Sequence, residues 1–433
     1  MKNMAPDSPL AEIGLLMTGH ELMTGDTIDS NSAWLGQVLS DAGLAITEKV
    51  TLGDDHDALV NHLHRLTRSH RLLLINGGLG PTQDDLTASA LATVAGQPLI
   101  VNEAARQHVV RWCEKRGFSA NPANLKQALL PQTACIFPDA PGSAPAFYLT
   151  INNCLVIATP GVPGELKTIT RQQLLPFLRK HHPLPVMQAW QRHQLFGIGE
   201  SSLQQLINND YAAINHDYDV GFRVNFPYLE LKLKQRPAPS PQAQDHLNNL
   251  LNRLADYRIG DGGETMARQL VDLLRQRHET IATAESCTGG RIASDITAVS
   301  GASAVFPGAI VSYANSSKSR LLGVSETTLQ HFGAVSEETV KAMLDGVFRQ
   351  FACNYGVAVS GIAGPDGGSA EKPAGTVWIS WGSRDKRHCT CLLLPLERLA
   401  FQQMVSTICL DLVRREAQQM APPDYLSRWA KAG

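Results

Sequence analysis

Along the first third of the chain, short apolar runs alternate with amphipathic stretches. Residues 13–17 and 46–52 read as strands, 32–42 and 59–66 as helices, and 71–76 as a buried strand that runs into Gly77-Gly78-Leu79-Gly80-Pro81. This β-α-β-α-β rhythm predicts a largely parallel sheet covered by helices on both faces, with its ligand at the carboxyl ends of the strands. Asn152-Asn153 supplies a hairpin turn between strands at 146–150 and 154–159, and 163–179 has a helical pattern.

From about 183 to 258 the texture changes to that of a small α+β module. Strands are expected at 191–196 and twice between 220 and 234, with a helix at 201–207, and Ser240-Pro241 offers an N-cap and first-turn proline for a helix to 255. Such a module suits a spacer or dimerisation element. After the joint Asp261-Gly262-Gly263, Met266, Leu270, Leu273 and Leu274 share one helical face. Strands at 280–284, 309–313 and 356–360 each end in a polar or glycine-rich loop, and a helix at 397–415 follows.

A chain of 433 residues exceeds one ordinary core, so several domains are expected. The balance of 43% apolar to 18% charged residues is that of a globular protein, and a net charge of −2 without like-charge blocks argues against direct nucleic-acid binding. The opening seven residues lack a signal-peptide core and no later run reaches membrane-span length, so a cytoplasmic location off the membrane is expected. The 8 cysteines form no CxxC pair, which points to reduced thiols.

Ser286 follows a strand and precedes Cys287-Thr288-Gly289-Gly290 and a helix, the arrangement of an exposed nucleophile whose helix amides can receive an oxyanion or phosphate. The same spacing also suits residues that only cap the helix. A hydroxyl needs a base. No histidine lies in the nearby loops, whereas Lys318, in Tyr313-Ala-Asn-Ser-Ser-Lys318, could serve once desolvated to a neutral amine. A third glycine-rich loop, Gly361-Ile362-Ala363-Gly364-Pro-Asp-Gly-Gly-Ser369, adds a wall that a flat ring can approach.

The runs 284–290, 313–318, 331–337 and 360–368, in that order, resemble the CinA C-terminal domain over about 262–420. That family includes nicotinamide mononucleotide amidohydrolases, which form a carboxylate and ammonia without a metal, so no cofactor is expected in this domain. The resemblance implies Ser286 as nucleophile, Lys318 as base and Tyr313 as a group that relays or orients the proton. It also implies that Asn315 and the 361–364 loop line the pocket and that Arg398 meets the phosphate. The family pattern has a second arginine near the start of the last helix, which the run Leu396 to Gln403 lacks.

The N-terminal segment carries Gly19-His20-Glu21, Asp29-Ser-Asn31, Gly77-Gly78-Leu-Gly80-Pro-Thr82-Gln-Asp84-Asp85 and Pro160-Gly-Val-Pro-Gly-Glu165 near expected strand ends. A glycine turn beside paired carboxylates suits pyrophosphate and a divalent cation; alternatively Asp84 and Asp85 only begin a helix. Residues 11–172 resemble the CinA N-terminal domain, which shares the three-layer MoaB/MogA molybdopterin-binding fold and in some members hydrolyses ADP-ribose with a divalent metal. The resemblance makes Glu21, Asp29, Asp84, Asp85 and Glu165 the metal candidates and Gly77, Gly78, Gly80 and Thr82 the phosphate turn. The whole is expected to be an α/β homodimer acting on small nucleotides. An N-terminal domain that only binds a molybdopterin-like or nucleotide ligand, and a regulatory protein of DNA uptake, stand as alternatives.

Overall fold

In the computed structural model, residues 13–181 and 190–431 are described. The opening stretch, and residues 183–189 at the start of the expected middle module, lie outside them. The chain divides into two compact units, Met1–Ala189 and Trp190–Gly433.

The first unit is built on a six-stranded sheet. Ile46–Leu52, Ile13–Thr18, Leu72–Asn76 and Cys154–Thr159 run parallel, and Phe147–Ile151 and Cys135–Ile136 extend the sheet antiparallel. Alternate side chains enter two separate cores: Leu16, Leu73, Ile75 and Val156 on one face, Leu15, Leu72, Leu74 and Ile157 on the other. The parallel strands are apolar runs because both faces are buried. The helix expected at 163–179 continues to His181 and contains a π-helical turn, Thr170–Leu174.

The second unit holds two sheets. Tyr218–Asn225, Tyr228–Gln235, Gln191–Leu195 and Arg258–Asp261 form an antiparallel sheet. Ser240 does not cap the helix that follows; the buried Asp217 carboxylate takes its amide and hydroxyl at 2.8 and 3.1 Å, and the helix begins later, at Ala243. The other sheet places Gly308–Val311, Ile281–Glu285 and Tyr355–Gly361 in parallel and adds Thr376–Ser383 and Arg387–Leu393 antiparallel. The helix Arg398–Ala417 is buried along most of its length. Its Asp411 accepts from Arg414, Arg415 and Tyr425, and Arg415 also donates to the Asp256 carbonyl, which ties the two sheets into one unit.

Among the described residues no helix is long and apolar enough to cross a membrane. All eight cysteines are unpaired.

Candidate functional site

Three parallel strands of the second unit release their chains at one edge of the sheet. The strand Ile281–Glu285 lies between Gly308–Val311 and Tyr355–Gly361, so the loops after residues 285, 311 and 361 meet. Ser286 opens the first loop, and its amide donates to the Val359 carbonyl at 3.1 Å, which fixes the hydroxyl at the mouth of the crevice.

Lys318 arrives from the helix Asn315–Leu322 and is only 1% exposed. Its Nζ lies 2.9 Å from Ser286 Oγ, 2.8 Å from the Ser312 carbonyl and 3.3 Å from the Tyr313 carbonyl. Burial pushes the lysine below its ordinary value, and no carboxylate among the described residues pairs with it to restore the charge. Nζ donates to Oγ when charged; in a neutral amine the two carbonyls, which can only accept, would take its two hydrogens and leave the lone pair toward the Ser286 hydroxyl. The expected nucleophile and base are thus in contact.

Cys287, next to the nucleophile, is buried and its thiol is pushed up to about 12 by desolvation. It stays protonated, so the hydroxyl rather than the thiol is the poised group.

The helix amides expected to receive an oxyanion or phosphate are already occupied. The fully buried Glu285 accepts from the Gly290, Ile292 and Ala293 amides at 3.0, 3.1 and 2.8 Å and from the Thr288 hydroxyl at 2.7 Å. Thr288, Gly289 and Gly290 therefore shape the turn instead of facing ligand; Gly290, at φ 98°, supplies the left-handed backbone that lets the helix start against this carboxylate. Sequence reading missed Glu285. A carboxylate within a few residues of a glycine turn and a helix start was the available signal.

A pocket of about 210 Å³ adjoins the dyad, lined by Ser286, Lys318, Tyr313, Ser360, Gly361, Ala363 and Arg398 among others. Ile362 is used within the wall, its amide donating to the Thr376 carbonyl at 2.8 Å. The Gly364 carbonyl accepts from Arg398 Nη1 at 2.9 Å. Tyr313 is 59% exposed, and its hydroxyl accepts from Arg398 Nη2 at 2.6 Å. It meets Lys318 through its backbone carbonyl and not through its ring, which departs from the expected proton relay. Asn315 is exposed and borders a separate groove with Ser319, Arg320 and Glu326. Gln402 was also missed; its Nε2 donates to the Cys287 carbonyl at 2.9 Å, bracing the Ser286 turn from the helix that carries Arg398.

In the first unit, Gly77 follows its strand at φ 109°, where a Cβ would stand 2.3 Å from the Thr18 carbonyl, so only glycine allows this approach of the two strand ends. Gly78, Gly80 and Asp85 line a pocket of about 130 Å³ with Lys126 and Gln127. Thr82 donates its amide and hydroxyl to Asp85 at 2.8 and 2.5 Å, and Lys126 donates to the Thr82 and Asp85 carbonyls.

The five carboxylates expected to hold a metal do not fit one. Asp29 caps the helix Ser30–Asp41 and pairs with Lys49 at 2.7 Å; burial opposes its charge, but the bonds from Lys49 and Ser32 prevail and its carboxyl lies below the ordinary value. Asp85 is taken by Thr82. Asp84 is exposed and held low by a hydrogen bond from Thr82. Glu165 is half-buried, and desolvation raises its carboxyl despite Arg116. Glu21 is exposed on the short helix His20–Thr24. Among the described residues no three His, Cys, Asp or Glu side chains converge as a metal would need.

The folds and the dyad define a two-part α/β protein, and comparison with known proteins agrees. Residues 263–417 match the CinA C-terminal domain, and residues 14–180 match a probable molybdopterin binding domain. A CinA-like protein of Colwellia psychrerythraea is 43% identical over 97% of this chain and 98% of its own length, and one of Geobacter sulfurreducens is 35% identical over 93% and 98%. A solved structure, the competence/damage inducible protein CihA from Agrobacterium tumefaciens, is 37% identical over 34% of this chain and 90% of its own, at a TM-score of 0.33. The chain belongs to the CinA-like family, with a MoaB/MogA-like N-terminal domain.

Proposed function

We propose that the C-terminal site is a serine amidohydrolase that converts the carboxamide of nicotinamide mononucleotide to the carboxylate and releases ammonia. The observation that carries this reading is the contact of Ser286 Oγ with a buried Lys318 amine at 2.9 Å. Lys318 takes the hydroxyl proton as Oγ bonds to the carboxamide carbon. The ammonium so formed stays beside the tetrahedral intermediate and stabilises the negative charge on its oxygen in a low-dielectric site. It then returns the proton to the leaving nitrogen, ammonia departs, and an ester to Ser286 remains. A water deprotonated by the same amine attacks that ester, releasing the carboxylate and restoring the hydroxyl. The substrate class rests on family membership together with an amide-sized pocket and Arg398 at its mouth. Incubating the full chain with the mononucleotide and assaying ammonia tests it; absence of ammonia from the wild type, or ammonia from Ser286→Ala, overturns it.

For the N-terminal unit, binding of a phosphate-bearing ligand at the 78–85 turn is the better supported activity. The carboxylates that metal-dependent ADP-ribose hydrolysis would use are dispersed or already bonded within the protein. Chelator-sensitive AMP release from ADP-ribose would overturn this preference.

A further inference from the structure

The turn that carries Ser286 is held at three points, and one of them lies outside its own sheet and helix. Before the nucleophile, the Glu285 carboxylate takes the Gly290, Ile292 and Ala293 amides; at the nucleophile, the Ser286 amide donates to the Val359 carbonyl. After it, the Ser286 and Thr288 carbonyls take the Gly289 and Arg291 amides, both at 3.1 Å, and the Cys287 carbonyl between them takes Gln402 Nε2 at 2.9 Å. A peptide unit is planar, so the direction of the Cys287 carbonyl sets the orientation of the whole link from residue 287 to 288.

Gln402 stands one helical turn beyond Arg398, so the two side chains leave the same face of the helix Arg398–Ala417. Gln403 leaves it about 100° further round. Its Nε2 donates to the Phe226 carbonyl at 2.8 Å, at the tip of the hairpin formed by Tyr218–Asn225 and Tyr228–Gln235. That tip is anchored beside the same helix. Tyr228 packs against the core of the C-terminal sheet, with its ring centroid 6.1 Å from that of the buried Phe196, and its hydroxyl accepts from the Met266 amide at 3.0 Å. The Phe226 carbonyl is thus a fixed point, from which a continuous path runs through Gln403 and Gln402 to the Cys287 carbonyl.

We infer that Gln402 is a positioning residue for Ser286, acting through the Cys287 carbonyl, and that the hairpin tip gripping Gln403 is the footing of this brace. This rests on the amidohydrolase reading for its kinetic consequence, and it gives the middle α+β module a part in that reaction. The bond-making steps stay with Ser286 and Lys318; neither glutamine gives or takes a proton.

The test uses Gln402→Met and Gln403→Met in the full chain, which keep the length of the side chain and remove its donor. Losing one hydrogen bond at the turn lowers kcat for ammonia release from the mononucleotide about tenfold in Gln402→Met, with KM held, and by less in Gln403→Met. The two act in series, so the double variant is no worse than Gln402→Met alone. An unchanged kcat, a loss confined to KM, an inert Gln403→Met or additive losses each overturn the inference. Hydrogen exchange read by mass spectrometry separates it from the amidohydrolase reading. The amides of residues 286–293 exchange several-fold faster in either variant than in the wild type, while the first unit keeps its protection, even if no ammonia is ever released. Faster exchange in a chain that releases no ammonia would sink the amidohydrolase reading and leave the brace standing; unchanged exchange at 286–293 overturns the brace on its own.

Discussion

Lys318 and Asp85 both stand just beyond parallel strands, the first on a helix and the second in a loop, at the edge where α/β sheets place their ligands, yet their surroundings differ. Lys318 is buried and bonded to two carbonyls and a hydroxyl, and no carboxylate among the described residues pairs with it. Asp85 is bonded to Thr82 in its own turn. Burial without a compensating charge favours the lysine's neutral form, whereas local hydrogen bonding makes the aspartate part of the scaffold. Residue type and spacing alone do not separate these outcomes; environment does.

The largest effect expected from breaking this contrast is at the dyad. Ser286→Ala and Lys318→Met each lower ammonia release by about 10³-fold or more, because nucleophile and base act as a unit. The double variant is then little worse than either single one, and thermal unfolding shows each variant folded. Additive losses would mean that the two side chains act independently. The pH profile sharpens the same point. The folded lysine lies below its ordinary value, so the neutral form grows as pH rises through that lowered value, and kcat/KM rises about tenfold per pH unit beneath it. Since the unfolded state binds the proton more tightly, stability also rises with pH between the lowered and the ordinary value. A kcat/KM that falls across this range would place the active lysine in its charged form.

Much of the fold was legible because the strands obey simple patterns. The apolar runs at 13–17 and 71–76 and the asparagine turn at 152–153 match strands and a hairpin within a few residues. Ser286 and Lys318 were legible as reactive types after strands, and their contact follows from the parallel pairing of their two strands. What sequence left hidden was the direction of side chains. Nothing in the order of residues says that Tyr313 turns its hydroxyl to Arg398, that Asn315 faces another groove, or that Asp217 claims Ser240 from the helix. These are long-range competitions for hydrogen bonds, decided only when distant segments pack.

Glu285 gives the next effect, on stability. Glu285→Ala leaves three amides, one of them fully buried, and a buried hydroxyl without their acceptor, at a cost of about 3 kcal/mol. The second unit then unfolds roughly 6–12 °C lower, read by calorimetry on the full chain. Glu285→Gln keeps one acceptor oxygen and is milder. An unchanged melting temperature for the alanine variant would show that water satisfies the turn and that Glu285 does not organise it.

The smallest effect is expected at the other pole of the comparison. Asp84→Asn with Asp85→Asn removes two negative charges but keeps an oxygen at residue 85 to accept from the Thr82 amide, so the 78–85 turn persists. Binding of a phosphate-bearing nucleotide to the N-terminal pocket then stays within about twofold or tightens slightly, because repulsion of the anion is reduced near Lys126. Titration with ADP-ribose, with and without added divalent cation, measures this. Should the double variant lose cation-dependent binding or AMP release, the carboxylates bonded to Thr82 would have to leave it for the metal, and the contrast between a reactive lysine and a structural aspartate would collapse.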